Sequence, residues 1–320
     1  MASEQAQAST QYLAPEEVLA SLGQEARRRV QETSLAQTVV LALLGGAFIA
    51  FGALFSVILS TGVEAHGPKL LLQGLGFSAG FFFVILSHAV LFTEVNVMVP
   101  ARFLAVPVQV HCTQIMLFWA LAALGNVAGA VLVGWLVHLV QTYPPEQMEV
   151  LRHIVDKKMR YAETGTLAAW FAALGSGMLG NWLVGMAAFF ATMGRTIVGK
   201  FVPIFLAVTL FVAANFQHSP ANAGYFAMIM PGGDGPGWGA GAGLEPGAGC
   251  DRQHSGRCAA GGAAAVVRTH ATLSQHAVTA SCALYSSCLR ICGPRSFNAY
   301  SQPDAYYTPL LDYRPIAILA

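Results

Sequence analysis

Five stretches of this chain hold no Asp, Glu, Lys or Arg: residues 33–63, 70–93, 103–145, 164–194 and 201–233. A helix needs about 20 apolar residues to cross a bilayer. Hydrocarbon offers no partner for a free N–H or C=O, so such runs cross as helices. They predict five spans, at about 36–60, 71–100, 112–140, 166–193 and 201–230. The fold class is therefore an all-α polytopic membrane protein. Charged residues are 10% of the chain, against about 25% in soluble domains. A net charge of +1 excludes a polybasic nucleic-acid binder.

Two spans look interrupted. The second breaks at Leu91-Phe92-Thr93 and the fifth at Asn215-Phe216-Gln217-His218-Ser219-Pro220. Pro220 cannot donate a backbone hydrogen bond and turns its predecessor away from helix. Irregular backbone at membrane depth is tolerated where it lines a cavity or is buried in protein. Broken helices three spans apart point to a central site in an inverted repeat. Small residues, Gly45-Gly46, Gly125 with Gly129, and those from Gly175 to Gly185, predict close helix packing.

Residues 1–34 form an N-terminal segment with no signal-peptide core. Pro15 followed by Val18, Leu19, Leu22, Ala26 and Val30 suggests an amphipathic helix lying along the membrane, or equally a solvated tail. The triplet Arg27-Arg28-Arg29 beside the first span favours a cytoplasmic N-terminus. Residues 35–230 hold the spans.

Polar groups inside spans are costly and point to function. The candidates are Thr93, Glu94, Asn126, Asn181, Lys200, His218 and Asn222, with His88 and His138 behind. His218 lies in the broken fifth span between Gln217 and Ser219. It either serves a pore or ties two helices together. A metalloenzyme built on His88, Glu94, His111 and His218 is disfavoured, because a metal needs converging ligands and these share no helical i, i+4 pair. No cofactor, metal or catalytic residue is expected.

In order along the chain, Leu44-Gly45-Gly46-Ala47-Phe48-Ile49-Ala50-Phe51-Gly52, Leu91-Phe92-Thr93, Gly125-Asn126 with Gly129, Asn181-Trp182-Leu183-Val184, Gly199-Lys200, and Phe216-Gln217-His218-Ser219 with Ala221-Asn222 resemble the motifs of the formate/nitrite transporter family. The resemblance covers residues 12 to about 230. It implies an aquaporin-like inverted repeat of six spans with helices 2 and 5 broken, assembled as a homopentamer in the lipid bilayer. It implies one pore per protomer for small monovalent anions such as formate, nitrite or bicarbonate, with a proton as co-substrate. Carried over by motif, Thr93 and His218 face each other as a pore and proton relay. Leu91, Phe92, Phe211 and Phe216 form apolar constrictions, Asn181, Asn222 and Gln217 give polar support, and Lys200, Lys158 and Arg160 line a basic vestibule. The expected location is an integral multi-pass protein of a plasma membrane or an organelle's inner membrane.

The chain departs from the pattern at four places. Val90 stands where the family has an acid, Gln217 replaces the acid beside the histidine, Pro220 replaces a small or β-branched residue, and the family lysine before the fourth span aligns with Gly165, near Lys157, Lys158 and Arg160. The sixth span is missing. Residues 231–320 hold Cys250, Cys258, Cys282, Cys288 and Cys292 without zinc-ligand spacing. They read as a Gly/Ala-rich low-complexity tail or, preferred, as out-of-frame translation. One base out of frame, 244–258 admits Gly-Asn-Ile-Val-Ala-Gly-Ala, which mirrors 125–130. The alternative to a transporter is a non-transporting scaffold left open by the lost span.

Overall fold

The computed structural model describes residues 12–105, 112–164 and 166–232. Its elements are α1 (Pro15–Arg27) with a π-helical turn (Arg28–Glu32), α2 (Leu35–Ser60), α3 (His66–Ser87), α4 (Phe92–Ala105), α5 (Cys112–Val140), α6 (Pro145–Thr164), α7 (Leu167–Met193), α8 (Ile197–Ala213) and α9 (Ser219–Ile229), closed by a 3-10 turn (Met230–Gly232). The described residues all belong to one compact unit. The expectations for residues 233–320, His111 and Gly165 lie outside the described residues.

Helices α2, α3, α5 and α7 are long and apolar enough to cross a membrane, and α8 is a shorter apolar helix. Phe51 on α2, Trp135 on α5, Trp182 on α7 and Leu206 on α8 are exposed, whereas Thr38, Ser56, Ser78 and Asn126 are buried. Apolar surface outside and polar groups inside is the arrangement that suits lipid.

Small residues bring α2 and α5 together backbone to backbone. A Cβ on Gly46 would stand 1.9 Å from the Asn126 carbonyl oxygen, and one on Gly129 would stand 2.0 Å from that of Leu43. A Cβ on Gly180 of α7 would stand 2.6 Å from the Gln217 carbonyl oxygen, but one on Gly175 or Gly177 would meet nothing. The expected small-residue contact of the fourth span is therefore confined to its second half.

One expectation needs correcting. The first interruption spans residues 88–91, so Phe92 and Thr93 already belong to the first turn of α4. Helix α6 was not foreseen. Val150, Leu151, Ile154, Val155 and Met159 are its buried stripe, a helical period that its many charges obscure. Helix α1 packs on the protein itself. Its apolar face of Val18, Leu22 and Ala26 is buried against α4 and α7. Leu13 donates its N–H to the Met193 carbonyl at 2.9 Å, tying the start of the segment to the end of α7.

Candidate functional site

The two interruptions repeat one backbone device. His88 and Asn215 both take the left-handed conformation, with φ of 55° and 54°. In each case helix resumes four residues later, at Phe92 and at Ser219. Each break frees backbone groups that lipid cannot satisfy. At the first, the Asn126 amide donates to the Val90 carbonyl at 2.7 Å and the Ala42 carbonyl at 2.8 Å, while its oxygen accepts the Phe92 N–H at 2.7 Å. The Val90 N–H donates to the Leu41 carbonyl at 3.0 Å. An acid at position 90 is thus not needed to hold this break.

At the second break the partners come from α6 and α7. Lys158 Nζ donates to the Phe216 carbonyl at 2.5 Å, and Ser176 Oγ accepts the Gln217 N–H at 3.0 Å. Asn215 and Gln217 donate side-chain N–H groups to the Lys157 and Lys158 carbonyls, both at 3.2 Å. Asn222 donates to Gln217 Oε1 at 2.7 Å.

His218 is the N-cap of α9, and its Nδ1 accepts the Ala221 N–H at 3.3 Å. A neutral imidazole keeps one donor and one acceptor nitrogen. With Nδ1 accepting, Nε2 carries the proton and donates to Thr93 Oγ1 at 3.2 Å. Pro220 falls in the first turn of α9, where a missing N–H leaves no bond unmade. His218 and Thr93 are buried, at 2% and 1% exposure. The Phe211 ring meets the imidazole edge-on at 5.4 Å. Phe211 and Leu91 belong to one buried apolar cluster.

A small cavity, partly open to solvent, reaches Phe211 from the α6 side. Its walls include Gln73, His153, Lys157, Lys158 and Tyr225. Phe211 thus stands between this cavity and His218. Lys158 Nζ lies 5.6 Å over the Phe211 ring. Burial, with Arg160 adding to it, pushes the Lys158 ammonium down to about 7. Burial and then Lys157 lower His153 as well.

A second charged cluster meets the first break. Arg29 Nε donates to Glu25 Oε1 at 2.7 Å, and Arg29 Nη1 lies 3.4 Å from both Glu94 Oε2 and the Ala89 carbonyl oxygen. Burial opposes ionisation of Glu25, but hydrogen bonds from Arg28 and the charge of Arg29 outweigh it and hold the carboxyl at about 2. Sequence reading missed Arg29, taking it for a solvated topology signal. The clue was its place on the apolar stripe of Val18, Leu22 and Ala26.

The expected site residues thus divide. Thr93, His218, Phe211, Gln217, Asn222 and Lys158 converge around the breaks, and Leu91 and Phe92 are buried at the first of them. Phe216 is half-buried, with its Cβ beside Gly180. Asn181 is half-buried on α7, next to Gly180, and takes part in none of these hydrogen bonds. Arg160 is exposed and stacks on Tyr161 at 4.5 Å. Lys200 donates to the Ala191 carbonyl at 3.4 Å from the first turn of α8. The other end of that helix, where Lys158 acts, is about 20 Å away at 1.5 Å per residue. The three basic residues therefore do not form one vestibule. Among the described residues, no three His, Cys, Asp or Glu side chains are grouped to hold a metal.

Residues 16–244 match the family model described as formate/nitrite transporter. The chain is 28% identical over 207 residues to a probable formate transporter of Methanothermobacter thermautotrophicus, covering 60% of this chain and 74% of that protein. It is 28% identical over 192 residues to the formate channel FocA of Escherichia coli K12, covering 58% of this chain and 64% of that one. In fold it resembles a pentameric formate channel with formate bound, at a TM-score of 0.53 and 20% identity over 66% of this chain and 80% of that one.

Proposed function

The chain belongs to the formate/nitrite transporter family, and from that premise we propose that it passes small monovalent anions of formate or nitrite size across a membrane, coupled to a proton at His218 and Thr93. It is an integral multi-pass membrane protein. The observation that carries the reading is the 3.2 Å contact between His218 Nε2 and Thr93 Oγ1. It joins the restarts of two broken helices behind the buried side chains of Leu91 and Phe211.

A bare carboxylate cannot cross that apolar zone, because burying an unpaired charge costs far more than thermal energy. It gathers in the cavity beside Lys158 and reaches Thr93. Because Thr93 Oγ1 accepts from His218 Nε2–H, its own O–H is free to donate to the anion. A proton taken up at Nδ1 makes the ring a cation and breaks the bond from Ala221. The Nε2 proton then passes to Thr93 Oγ1, the Thr93 proton passes to the carboxylate, and a neutral acid leaves. The ring is neutral again, and moving its proton back to Nε2 restores the cap. That lost cap makes the charged ring a transient. Gln217, which carries no charge, adds nothing to prolong it.

In this reading protomers assemble as a homopentamer, with the N-terminus cytoplasmic. The test is formate and nitrite uptake into proteoliposomes holding a pH-sensitive dye. Uptake should acidify the lumen, and flux without proton movement would leave His218 as a gate alone. The competing reading, a non-transporting scaffold, rests on residues 231–320, which offer no apolar run near the 20 residues a span needs. Size exclusion of the 320-residue chain in detergent tests that tail: a sharp pentamer makes residues 231–320 a genuine part of the protein, and an aggregate that a frame-restored chain cures makes them out-of-frame translation.

A further inference from the structure

We propose that Lys158 is a proton-switched anion site: as an ammonium it holds a small monovalent anion at the inner wall of the cavity, and as a neutral amine it releases it. The inference rests on the transport reading and adds the regulation of that route.

The geometry carries it. Lys158 is 8% exposed, yet it lines the partly open cavity. Its Nζ makes one hydrogen bond, to the Phe216 carbonyl. An ammonium has three N–H donors, so two remain for the cavity. A neutral amine can keep the Phe216 bond with one N–H, and the break survives either state.

No acid fixes the charge. Gln217 faces Lys158 from the break, where its amide occupies the Lys158 carbonyl. From α6 the facing charges are Lys157 and Arg160. His153 lies one turn away, with Asp156 and Glu149 acting on it, and Lys69 of α3 acts on it too. From α9 come His218 and Tyr225, the latter across the cavity. Lys158 itself makes no ion pair with a described acid. Lys158 is therefore a buried cation among like charges. Burial lowers it to about 7, against about 10.4 for a free lysine. Lysine is the cation that changes state under such conditions, where arginine would not. By linkage, an anion that binds the ammonium raises the pH at which it deprotonates.

The test needs no flux. The purified full chain in detergent is labelled with trace acetic anhydride across pH 5–11, and the extent at each lysine is read by mass spectrometry. Lys158 should half-react near neutral pH, well below Lys69 on the same protein. Sodium formate, compared with sodium gluconate at equal ionic strength, should raise that midpoint. Gln217→Glu should raise it by at least about one pH unit, a tenfold change in proton affinity. Formate binding by calorimetry should weaken as pH rises through this midpoint in the parent chain, and should not in Lys158→Arg. The proposal is overturned if Lys158 titrates with Lys69, stays unlabelled at every pH, or ignores formate. A shifted, formate-sensitive midpoint without proteoliposome uptake leaves this site standing and counts against the transport reading alone.

Discussion

His218 Nε2 lies 3.2 Å from Thr93 Oγ1, although 125 residues separate the two. The bond joins the first turn of α4 to the N-cap of α9. It is formed only when both interruptions are in place. Each break is held by side chains from a helix other than its own, Asn126 at the first and Lys158 and Ser176 at the second.

Thr93→Val keeps the shape of the side chain and removes its hydroxyl. His218 Nε2 is then left buried without a partner, at a cost of about 1–3 kcal/mol. The variant should still assemble on size exclusion but carry formate at least about tenfold more slowly, and Thr93→Ser should recover most of the flux. Undiminished flux in Thr93→Val would take the hydroxyl out of the path.

His218→Asn tests the imidazole without removing the cap, because asparagine is itself a good N-cap. Helix α9 should start where it does now, and the protein should remain a single species in detergent. Proton-coupled uptake of formate should be lost. A variant with the parent's pH dependence would contradict the proton role of His218.

Asn126→Ala strips three hydrogen bonds from the first break and leaves the Val90 and Ala42 carbonyls and the Phe92 N–H buried. At about 1–2 kcal/mol each, the loss is roughly 3–6 kcal/mol. Thermal denaturation in detergent should show a large drop in melting temperature. A shift of a degree or less would mean that the break is held by other groups.

Arg29 and Glu94 are 4% and 5% exposed and lie 3.4 Å apart. Breaking a buried pair costs about 3–5 kcal/mol when the other charge is left without a partner, but Arg29 keeps Glu25 at 2.7 Å. Glu94→Gln should therefore destabilise less than Arg29→Met, which takes this partner from both Glu94 and Glu25. Glu25 adds a pH signature. Its folded value of about 2 lies below the ordinary 4.5, so the unfolded chain binds more protons between the two. Its stabilisation is whole above 4.5 and is lost as pH falls toward 2. Melting temperature measured from pH 7 down to 3 should fall less steeply in Glu25→Gln.

The spans were legible in the sequence because lipid acts on composition locally: a run without charge from 33 to 63 can only be a helix in a membrane. The breaks were legible nearly as well, since Pro220 and the polar residues around it are themselves the irregularity. Their limits were not, because the first restart is set at Phe92 by an asparagine on another helix. The contact of His218 with Thr93 entered through family motifs, as no local pattern reaches across 125 residues. What only the tertiary structure decided is which charges are inside. Arg29 and Lys158 look like solvated cations by composition, yet one is buried against Glu94 and the other against the Phe216 carbonyl. Their burial depends on helices α1 and α6 folding back onto the breaks. Side chains of distant segments make that packing, and neighbouring residues do not encode it.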